Sequence, residues 1–140
     1  MMSWGRRLLL TGVLLVCTPL VAAAPKSVWS GVYTPQQAAA GEKIYFDRCA
    51  SCHGDDLAGV ERAPAVAGAA FLNAWHGKTL RKLLERIESM PPDEPSVVSI
   101  AEATDVLAFL LYYLEIPGGS TALPADRALL AEITVERSKP

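Results

Sequence analysis

The pentapeptide Cys49-Ala50-Ser51-Cys52-His53 decides the fold of this chain. Its spacing, C-x-x-C-H, is the attachment signature of c-type haem. Two cysteines at this spacing form thioether bonds to the two vinyl groups of one porphyrin, and the adjacent histidine is placed to become the proximal iron ligand. The sequence therefore predicts one covalently bound haem c, attached through Cys49 and Cys52 and ligated by His53.

Residues 1–23 have the composition of a secretory signal peptide. Two arginines at 6–7 precede an apolar run at 8–16, and small residues at 21–24 suit a cleavage site. We expect cleavage after Ala23, because a cut one residue later would leave a proline at the first mature position. The alternative is an uncleaved membrane anchor, but the apolar stretch is shorter than the roughly 20 residues that a spanning helix needs.

Removal of the signal peptide leaves few residues that could carry chemistry. Cys17 is lost with it, and because Val16 precedes Cys17, where lipoprotein processing favours a small side chain, we do not expect a lipid there. The mature chain keeps two cysteines, two histidines and one methionine: Cys49, Cys52, His53, His76 and Met90.

The charge of the mature chain argues against nucleic-acid binding. Loss of the two signal-peptide arginines leaves 11 basic and 15 acidic residues, a net charge of −4, whereas nucleic-acid binders usually present a basic face. Four basic residues do cluster on the second predicted helix, where they form either a solvated face or a docking patch for an acidic partner. They are Lys78, Arg81, Lys82 and Arg86.

The sequence divides into a lead-in at 24–34, a folded domain at 35–116 and a tail at 117–140. In the lead-in, Trp29 and Tyr33 are candidate packing anchors. The pattern predicts a first helix from Pro35 to about Arg48, with Thr34 as its N-cap, proline at its first position and Gln37 completing a capping box. Three residues spaced by four should form one stripe along this helix, namely Gly41, Tyr45 and Cys49.

The rest of the chain predicts further helices and no strand. Residues 54–77 are rich in Gly, Ala and Pro and predict a loop that wraps a cofactor. A second helix follows Thr79, with an apolar face of Leu80, Leu83, Leu84 and Ile87, and ends at Met90-Pro91-Pro92. A third runs from residue 100 or 101 to 115, with Val106, Phe109, Leu110 and Tyr113 on one side. The tail has the pattern of a short helix at 124–133, which would use Leu129, Leu130 and Ile133 for contact. The predicted fold class is all-α.

Met90 is the expected second axial ligand of the iron. It is the only mature methionine, and it follows a helix in a rigid Met-Pro pair. The alternatives are a gap-filling role for Met90 in the core and ligation by His76 instead. A ligand histidine also needs an acceptor for its other ring nitrogen. The carbonyl of Pro64, eleven residues after His53, is the candidate acceptor. The alternative is that this proline only shapes the loop.

Two other residues have open roles near the cofactor. Trp75 is either a core residue or a donor to a haem propionate through its indole N–H. Arg48 either pairs with a propionate or is solvated at the end of its helix. Iron with His and Met on its two faces has no open position for oxygen, which favours outer-sphere electron transfer over catalysis.

These residues resemble those of the class I c-type cytochromes, a family of monohaem proteins with an all-α fold. The stripe at Gly41 matches that family's N-terminal helix, and residues 105–110 match its C-terminal helix. The resemblance covers about residues 29–116 and implies that three or more helices wrap one haem and that these two helices cross at Gly41. In that family a proline holds the proximal histidine and a methionine is the distal ligand. The resemblance places Pro64 and Met90 at these two positions.

Residues 45–59 and 71–75 further resemble small periplasmic cytochromes, some of which serve pyrroloquinoline-quinone dehydrogenases. The run at 95–98 departs from their usual pattern. The resemblance implies a periplasmic one-electron carrier that is not itself an enzyme. Its partners would be a dehydrogenase donor and a cytochrome or oxidase acceptor, and it would have no stable membrane insertion once the signal is cleaved.

Three other functions compete with a soluble carrier. The chain could be a cytochrome subunit of a stable dehydrogenase or oxidase complex, with the tail as a docking segment. Thiol–disulfide exchange at the two mature cysteines would be expected near a βαβ pattern, which the sequence lacks. A structural zinc site would have to use Cys49, Cys52, His53 and His76, but the adjacency of the second cysteine and the first histidine makes tetrahedral chelation awkward.

Overall fold

The computed structural model describes residue 1 and residues 26–61 and 63–140. The expected signal peptide therefore lies outside the described residues, apart from Met1. Within the described part the chain is mostly helical, as predicted. Its elements are β1 (Lys26–Ser27), a 3-10 turn (Val28–Ser30), α1 (Pro35–Arg48), α2 (Ala50–His53), α3 (Gly68–Trp75), α4 (Leu80–Glu88), α5 (Ile100–Tyr113), α6 (Arg127–Leu130) and β2 (Ile133–Thr134).

Helix α1 begins as predicted, but its capping box is only half formed. The Thr34 hydroxyl accepts a hydrogen bond from the backbone N–H of Gln37 at 3.2 Å. The Gln37 side chain does not return to the cap; it exchanges two hydrogen bonds with the backbone of Leu123, at 3.1 and 2.8 Å. The predicted box is wrong in this second half because the amide satisfies both backbone groups of a distant tail residue.

Helices α1 and α5 pack against each other at Gly41, where their backbones approach closely. A Cβ at Gly41 would overlap the backbone carbonyl of Asp105 and lie 2.8 Å from the Val106 nitrogen. The sequence expectation of a close approach at Gly41 is therefore confirmed. Because the contact is backbone against backbone, the glycine sets the distance between the two helices.

Helix α5 is the most deeply buried element of the described structure. It begins with a complete capping box, in which the Ser99 hydroxyl accepts from the Glu102 N–H at 3.3 Å and the Glu102 carboxylate accepts from the Ser99 N–H at 2.8 Å. Six consecutive residues, 106–111, are buried, so this helix forms the centre of the core. It ends at Tyr113, two residues before the predicted end.

Two sequence expectations about the remaining chain are wrong. The segment at 54–77 is not all loop, since α3 occupies Gly68–Trp75. The chain also forms strands, because β1 pairs in parallel with β2 over two residues each. Both elements are short, and neither has a side-chain cap or an alternating pattern that sequence analysis could detect.

The C-terminal tail packs on the body of the protein. Its apolar residues Leu123, Leu130, Ile133 and Val135 are buried, and Arg127 forms an ion pair with Glu88 of α4 at 2.7 Å. The tail helix is shorter than expected. Leu129, predicted to make contact, is instead 48% exposed, because the single turn of α6 turns Leu130 toward the core.

The lead-in is held by both predicted anchors. The Trp29 indole N–H donates to the carbonyl of Glu136 at 3.0 Å, beside the β1–β2 pair. The Tyr33 hydroxyl, fully buried, donates to the carbonyl of Ile116 at 2.6 Å, and burial raises its pKa. None of the helices in the described ranges is long and apolar enough to cross a membrane.

We expect Tyr33→Phe to lower the free energy of unfolding by about 1–2 kcal/mol, because it leaves the buried Ile116 carbonyl without its donor. Guanidinium titration of the haem-bound protein measures this change. Tyr112→Phe, at a neighbouring but 59% exposed tyrosine, is the control and should have almost no effect. Equal stability of the two variants would contradict the structural role of the Tyr33 hydroxyl.

Candidate haem site

The C-x-x-C-H motif forms one tight helical turn at the end of α1. Cys49 closes α1 through its backbone N–H to the Tyr45 carbonyl at 2.8 Å, and α2 follows at once. The His53 N–H then bonds back to the Cys49 carbonyl at 2.9 Å. This turn brings both thiols and the imidazole to the same cavity wall. Cys49 is half-buried, whereas Cys52 is exposed at the cavity edge.

The imidazole of His53 is held by the carbonyl that the sequence predicted. Its Nδ1 lies 2.9 Å from the Pro64 oxygen. A carbonyl oxygen can only accept, so Nδ1 carries a proton, and in the neutral imidazole Nε2 then keeps its lone pair. A histidine fixed in this tautomer by a backbone acceptor is oriented for metal ligation.

Gly59 leaves room for the chain at Pro64 to pass close beside it, and sequence analysis missed this role. This residue has a φ of +80°, and a Cβ there would lie 2.6 Å from the Pro64 carbonyl carbon and the Ala65 nitrogen. Its N–H donates to the His53 carbonyl at 2.9 Å. A glycine midway between the histidine and the proline is the only signal that the sequence offered.

Two tyrosines fix the turn that follows the histidine. The hydroxyl of Tyr45, from α1, donates to the Gly54 carbonyl at 2.8 Å. The hydroxyl of Tyr113, from α5, donates to the Asp56 carbonyl at 3.0 Å. Burial raises the pKa of Tyr45, so its hydroxyl stays protonated and continues to donate.

A single cavity of about 1030 Å³ joins these elements. That volume is at the upper end of the roughly 300–1,000 Å³ usual for ligand sites. All six site residues predicted from sequence line it, namely Cys49, Cys52, His53, Pro64, Trp75 and Met90. Its walls also include apolar residues from every side, among them Val66, Phe71, Leu83, Ile87, Val98 and Leu110. Phe71 comes from α3, the helix that the sequence did not predict.

Met90 lies on the cavity wall just beyond the end of α4. Its backbone N–H bonds to the Ile87 carbonyl at 3.1 Å, and the peptide bond to Pro91 is cis. The rival ligand His76 is placed elsewhere: its Nδ1 lies 3.4 Å from a carboxylate oxygen of Glu136. His76 does not line the cavity.

Trp75 and Arg48 both lie at the cavity, and each makes a contact that the sequence did not predict. The Trp75 ring lies 6.0 Å from the ring of Phe71 and 4.9 Å from the ammonium of Lys78. Arg48 donates to the carbonyl of Val97 and lies 3.6 Å from a carboxylate oxygen of Glu102. The guanidinium is therefore bound to protein groups as well as partly exposed.

The other functions considered for the cysteines find little support. Burial raises the pKa of the Cys49 thiol, whereas cysteines that exchange disulfides usually have a lowered pKa. Among residues 26–61 and 63–140, no three His, Cys, Asp or Glu side chains gather closely enough to hold a metal ion. The zinc hypothesis also fails on His76, which lies beside Glu136 and does not line the cavity that Cys49 and Cys52 share.

The cavity fits a covalently bound haem, because its thiols, its oriented imidazole, its thioether and its apolar walls are the groups that such a macrocycle requires. The helical fold and this site together define a class I c-type cytochrome that carries one covalent haem c with iron. More particularly, the chain belongs to the family described as "Cytochrome C oxidase, cbb3-type, subunit III", which it matches over residues 36–110.

The chain is similar to subunits of cbb3-type cytochrome c oxidases. The chain is 30% identical over 103 residues to "Cbb3-type cytochrome c oxidase subunit CcoP" of Rubrivivax gelatinosus, covering 69% of this chain and 33% of that protein. It is 46% identical over 52 residues to "Cbb3-type cytochrome c oxidase subunit FixP" of Rhizobium etli, covering 34% and 18%. The chain thus spans a third or less of the length of these curated relatives.

Among solved structures, the sulfane dehydrogenase SoxCD from Paracoccus pantotrophus aligns with a TM-score of 0.47 at 20% identity. The alignment covers 76% of this chain and 61% of that one.

Membership of the cytochrome family establishes the chain as an electron-transfer protein.

Proposed function

We propose that this chain is a periplasmic one-electron carrier whose haem is attached through Cys49 and Cys52 and ligated by His53 and Met90. One observation carries the proposal: a single cavity holds both thiols, an imidazole fixed by the Pro64 carbonyl and the only methionine of the mature chain. We further propose that residues 35–116 are the cytochrome domain, with 24–34 as its lead-in and 117–140 as its tail.

The chemistry of a carrier follows from these ligands. The haem supplies a one-electron iron couple, and a thioether ligand raises its reduction potential. If His53 and Met90 both hold the iron, small molecules such as oxygen would have no free coordination position. The apolar walls limit water around the iron, and the exposed Cys52 marks the edge where a redox partner approaches.

We propose a periplasmic dehydrogenase as the electron donor and a cytochrome or oxidase as the acceptor. The basic residues on and beside α4 support an acidic docking partner, because all four are exposed and two of them line the cavity. Lys78 and Arg86 are those two, whereas the Arg81 guanidinium is paired with Glu85 at 2.8 Å. The indole N–H of Trp75, which donates to no acceptor among the described residues, is proposed to donate to a propionate.

A second candidate function is a subunit of a stable oxidase complex, and the similarity to the cbb3-type subunits supports it. Gel filtration of a native extract, followed through haem absorbance, separates the two candidates. A carrier elutes at the size of the monomer, whereas a subunit elutes with its complex and retains that size through detergent extraction and a second column.

Met90→Ala tests the proposed ligation directly. We expect the haem to stay attached and the reduction potential to fall on the order of 0.1 V or more, because the iron loses its sulfur ligand. The ferric absorption band that arises from charge transfer between methionine sulfur and iron should disappear. Redox titration and visible spectroscopy of the purified protein measure both changes.

The matched control for this prediction is His76→Gln, which alters the rival ligand. We expect its potential and its charge-transfer band to be those of the wild type, because His76 lies beside Glu136 and does not line the cavity. A potential that moves in the His76 variant and stays constant in the Met90 variant would reverse the ligand assignment.

A further inference from the structure

Arg48, the last residue of α1, connects the haem-attachment turn to the loop that carries Met90. Its guanidinium donates to the backbone carbonyl of Val97, and its Nη2 lies 3.6 Å from Oε1 of Glu102. Cys49, whose thiol lines the cavity, is the next residue in the chain. One side chain thus joins the attachment side of the cavity to the methionine side.

Among the described residues, the other hydrogen bonds of the loop at 89–99 lie within it or reach α4 and the start of α5. The Ser96 N–H bonds to the Glu88 carbonyl at 2.8 Å, and the Glu94 N–H bonds to the Pro91 carbonyl at 3.1 Å. The Met90 N–H bonds to α4, and Ser99 belongs to the capping box of α5. Among the described residues, Arg48 supplies the one hydrogen bond between this loop and α1.

Two carboxylates lie beside the Arg48 guanidinium, that of Asp47 at 3.4 Å and that of Glu102 at 3.6 Å, and the second is itself rigidly held. Glu102 belongs to the capping box of α5, and its Oε2 accepts from the Ser99 N–H at 2.8 Å. That hydrogen bond lowers the pKa of the Glu102 carboxyl, so it is ionised at neutral pH. A planar guanidinium can serve a carbonyl and a carboxylate together, which a lysine ammonium does less well.

We propose that Arg48 is a positioning residue that keeps Met90 on the iron. Its contacts with Val97 and Glu102 hold the loop at 89–99 against α1 and α5. This inference rests on the proposed ligation by His53 and Met90. Val97, whose carbonyl accepts from Arg48, and the next residue, Val98, both line the haem cavity. Loss of the Arg48 contacts therefore loosens the cavity wall and the loop at 89–99, which carries the methionine sulfur.

The test is the competition between Met90 and added imidazole in the ferric holoprotein. Imidazole binds only when the methionine has left the iron, so its apparent affinity reports how readily Met90 dissociates. We expect Arg48→Gln to bind imidazole about tenfold more tightly than the wild type, since a lost hydrogen bond to a charged group has about this effect on an equilibrium. Without imidazole, the sulfur-to-iron charge-transfer band should remain.

Three further variants make the result specific. Arg48→Lys keeps the charge but lacks the forked donor, so we expect its imidazole affinity to stay raised. Glu102→Gln keeps an acceptor for Ser99 but removes the ion pair, and we expect a smaller rise. Arg81→Gln is the matched control, because it removes an exposed arginine and an ion pair with Glu85 on α4 and should leave the affinity unchanged.

Wild-type imidazole affinity in both Arg48→Gln and Glu102→Gln would overturn the inference while leaving the ligation intact. Wild-type imidazole affinity in Arg48→Lys would mean that the positive charge at residue 48, and not the two-armed guanidinium contact, holds the loop. If the wild-type ferric protein lacked the sulfur-to-iron band altogether, the proposed ligation itself would fail, and the positioning role of Arg48 with it.

Discussion

A Cys49→Ser/Cys52→Ser variant, secreted in cells that attach haem to cytochromes, is expected to accumulate without haem and to lose most of its far-UV circular dichroism. Without thioether bonds the cavity between α1, α3, α4 and the 89–99 loop would have to stay unfilled or collapse. The apolar side chains that line it would then face water or one another, and a large apolar side chain left exposed rather than buried costs about 1.5–3 kcal/mol. A few such side chains amount to a large share of the roughly 5–15 kcal/mol stability of a whole domain.

Helix α3 shows why the loss should extend beyond the cavity wall. Its one buried residue, Phe71, and the half-buried Trp75 both line the cavity. The extensive contacts between described elements involve α1, α2, α4, α5, α6 and the two strands, and α3 is not among them. Phe71 itself is buried in the protein core, but α3 has few other contacts, so we expect it to be among the first elements to lose order when the haem is absent.

Ser51→Ala is the control for the double cysteine variant. It changes an exposed residue inside the same motif and leaves both thiols in place, so haem attachment and circular dichroism should match the wild type. Near-native helicity in the haem-free double variant would show that the protein side chains suffice for the fold. That result would contradict the structural role that we assign to the haem.

The sequence predicted the parts of the fold whose signals are local. Thr34 and Pro35 mark the start of α1, and the apolar spacing of α4 and α5 places both helices within a few residues of their observed bounds. The cavity is likewise lined by all six residues named from the C-x-x-C-H motif and its surroundings. Each of these predictions needed only neighbouring residues or a known chemical requirement of the haem.

The missed features depend on partners that are distant in sequence. Gln37 bonds Leu123, 86 residues away, and local rules assign it to its own helix cap. Helix α3 begins after Ala67 without a capping side chain, so no local signal marks its start. The β1–β2 pair is too short for an alternating pattern, since it holds only two residues in each strand.

Gly41→Ala is expected to lower the free energy of unfolding of the haem-bound protein by about 3 kcal/mol or more. In a helix, alanine is intrinsically better than glycine by about 1 kcal/mol, so local propensity predicts the opposite sign. The structure favours a loss of stability, because the added Cβ would overlap the Asp105 carbonyl of α5. The Cβ and the carbonyl are both fixed to the backbone and cannot rotate away, so the two helices must separate. Overpacking of this kind is strongly destabilising.

Guanidinium titration with the haem absorbance as a probe measures this effect, and Ala39→Gly is its matched control. Ala39 is exposed on the same helix, so that variant reports propensity alone and should cost about 1 kcal/mol. Separation of α1 from α5 also displaces Arg48 from Glu102, so we expect Gly41→Ala to weaken Met90 ligation as well as stability. A Gly41→Ala protein as stable as the wild type, or more stable, would mean that α1 and α5 do not cross in backbone contact at this residue.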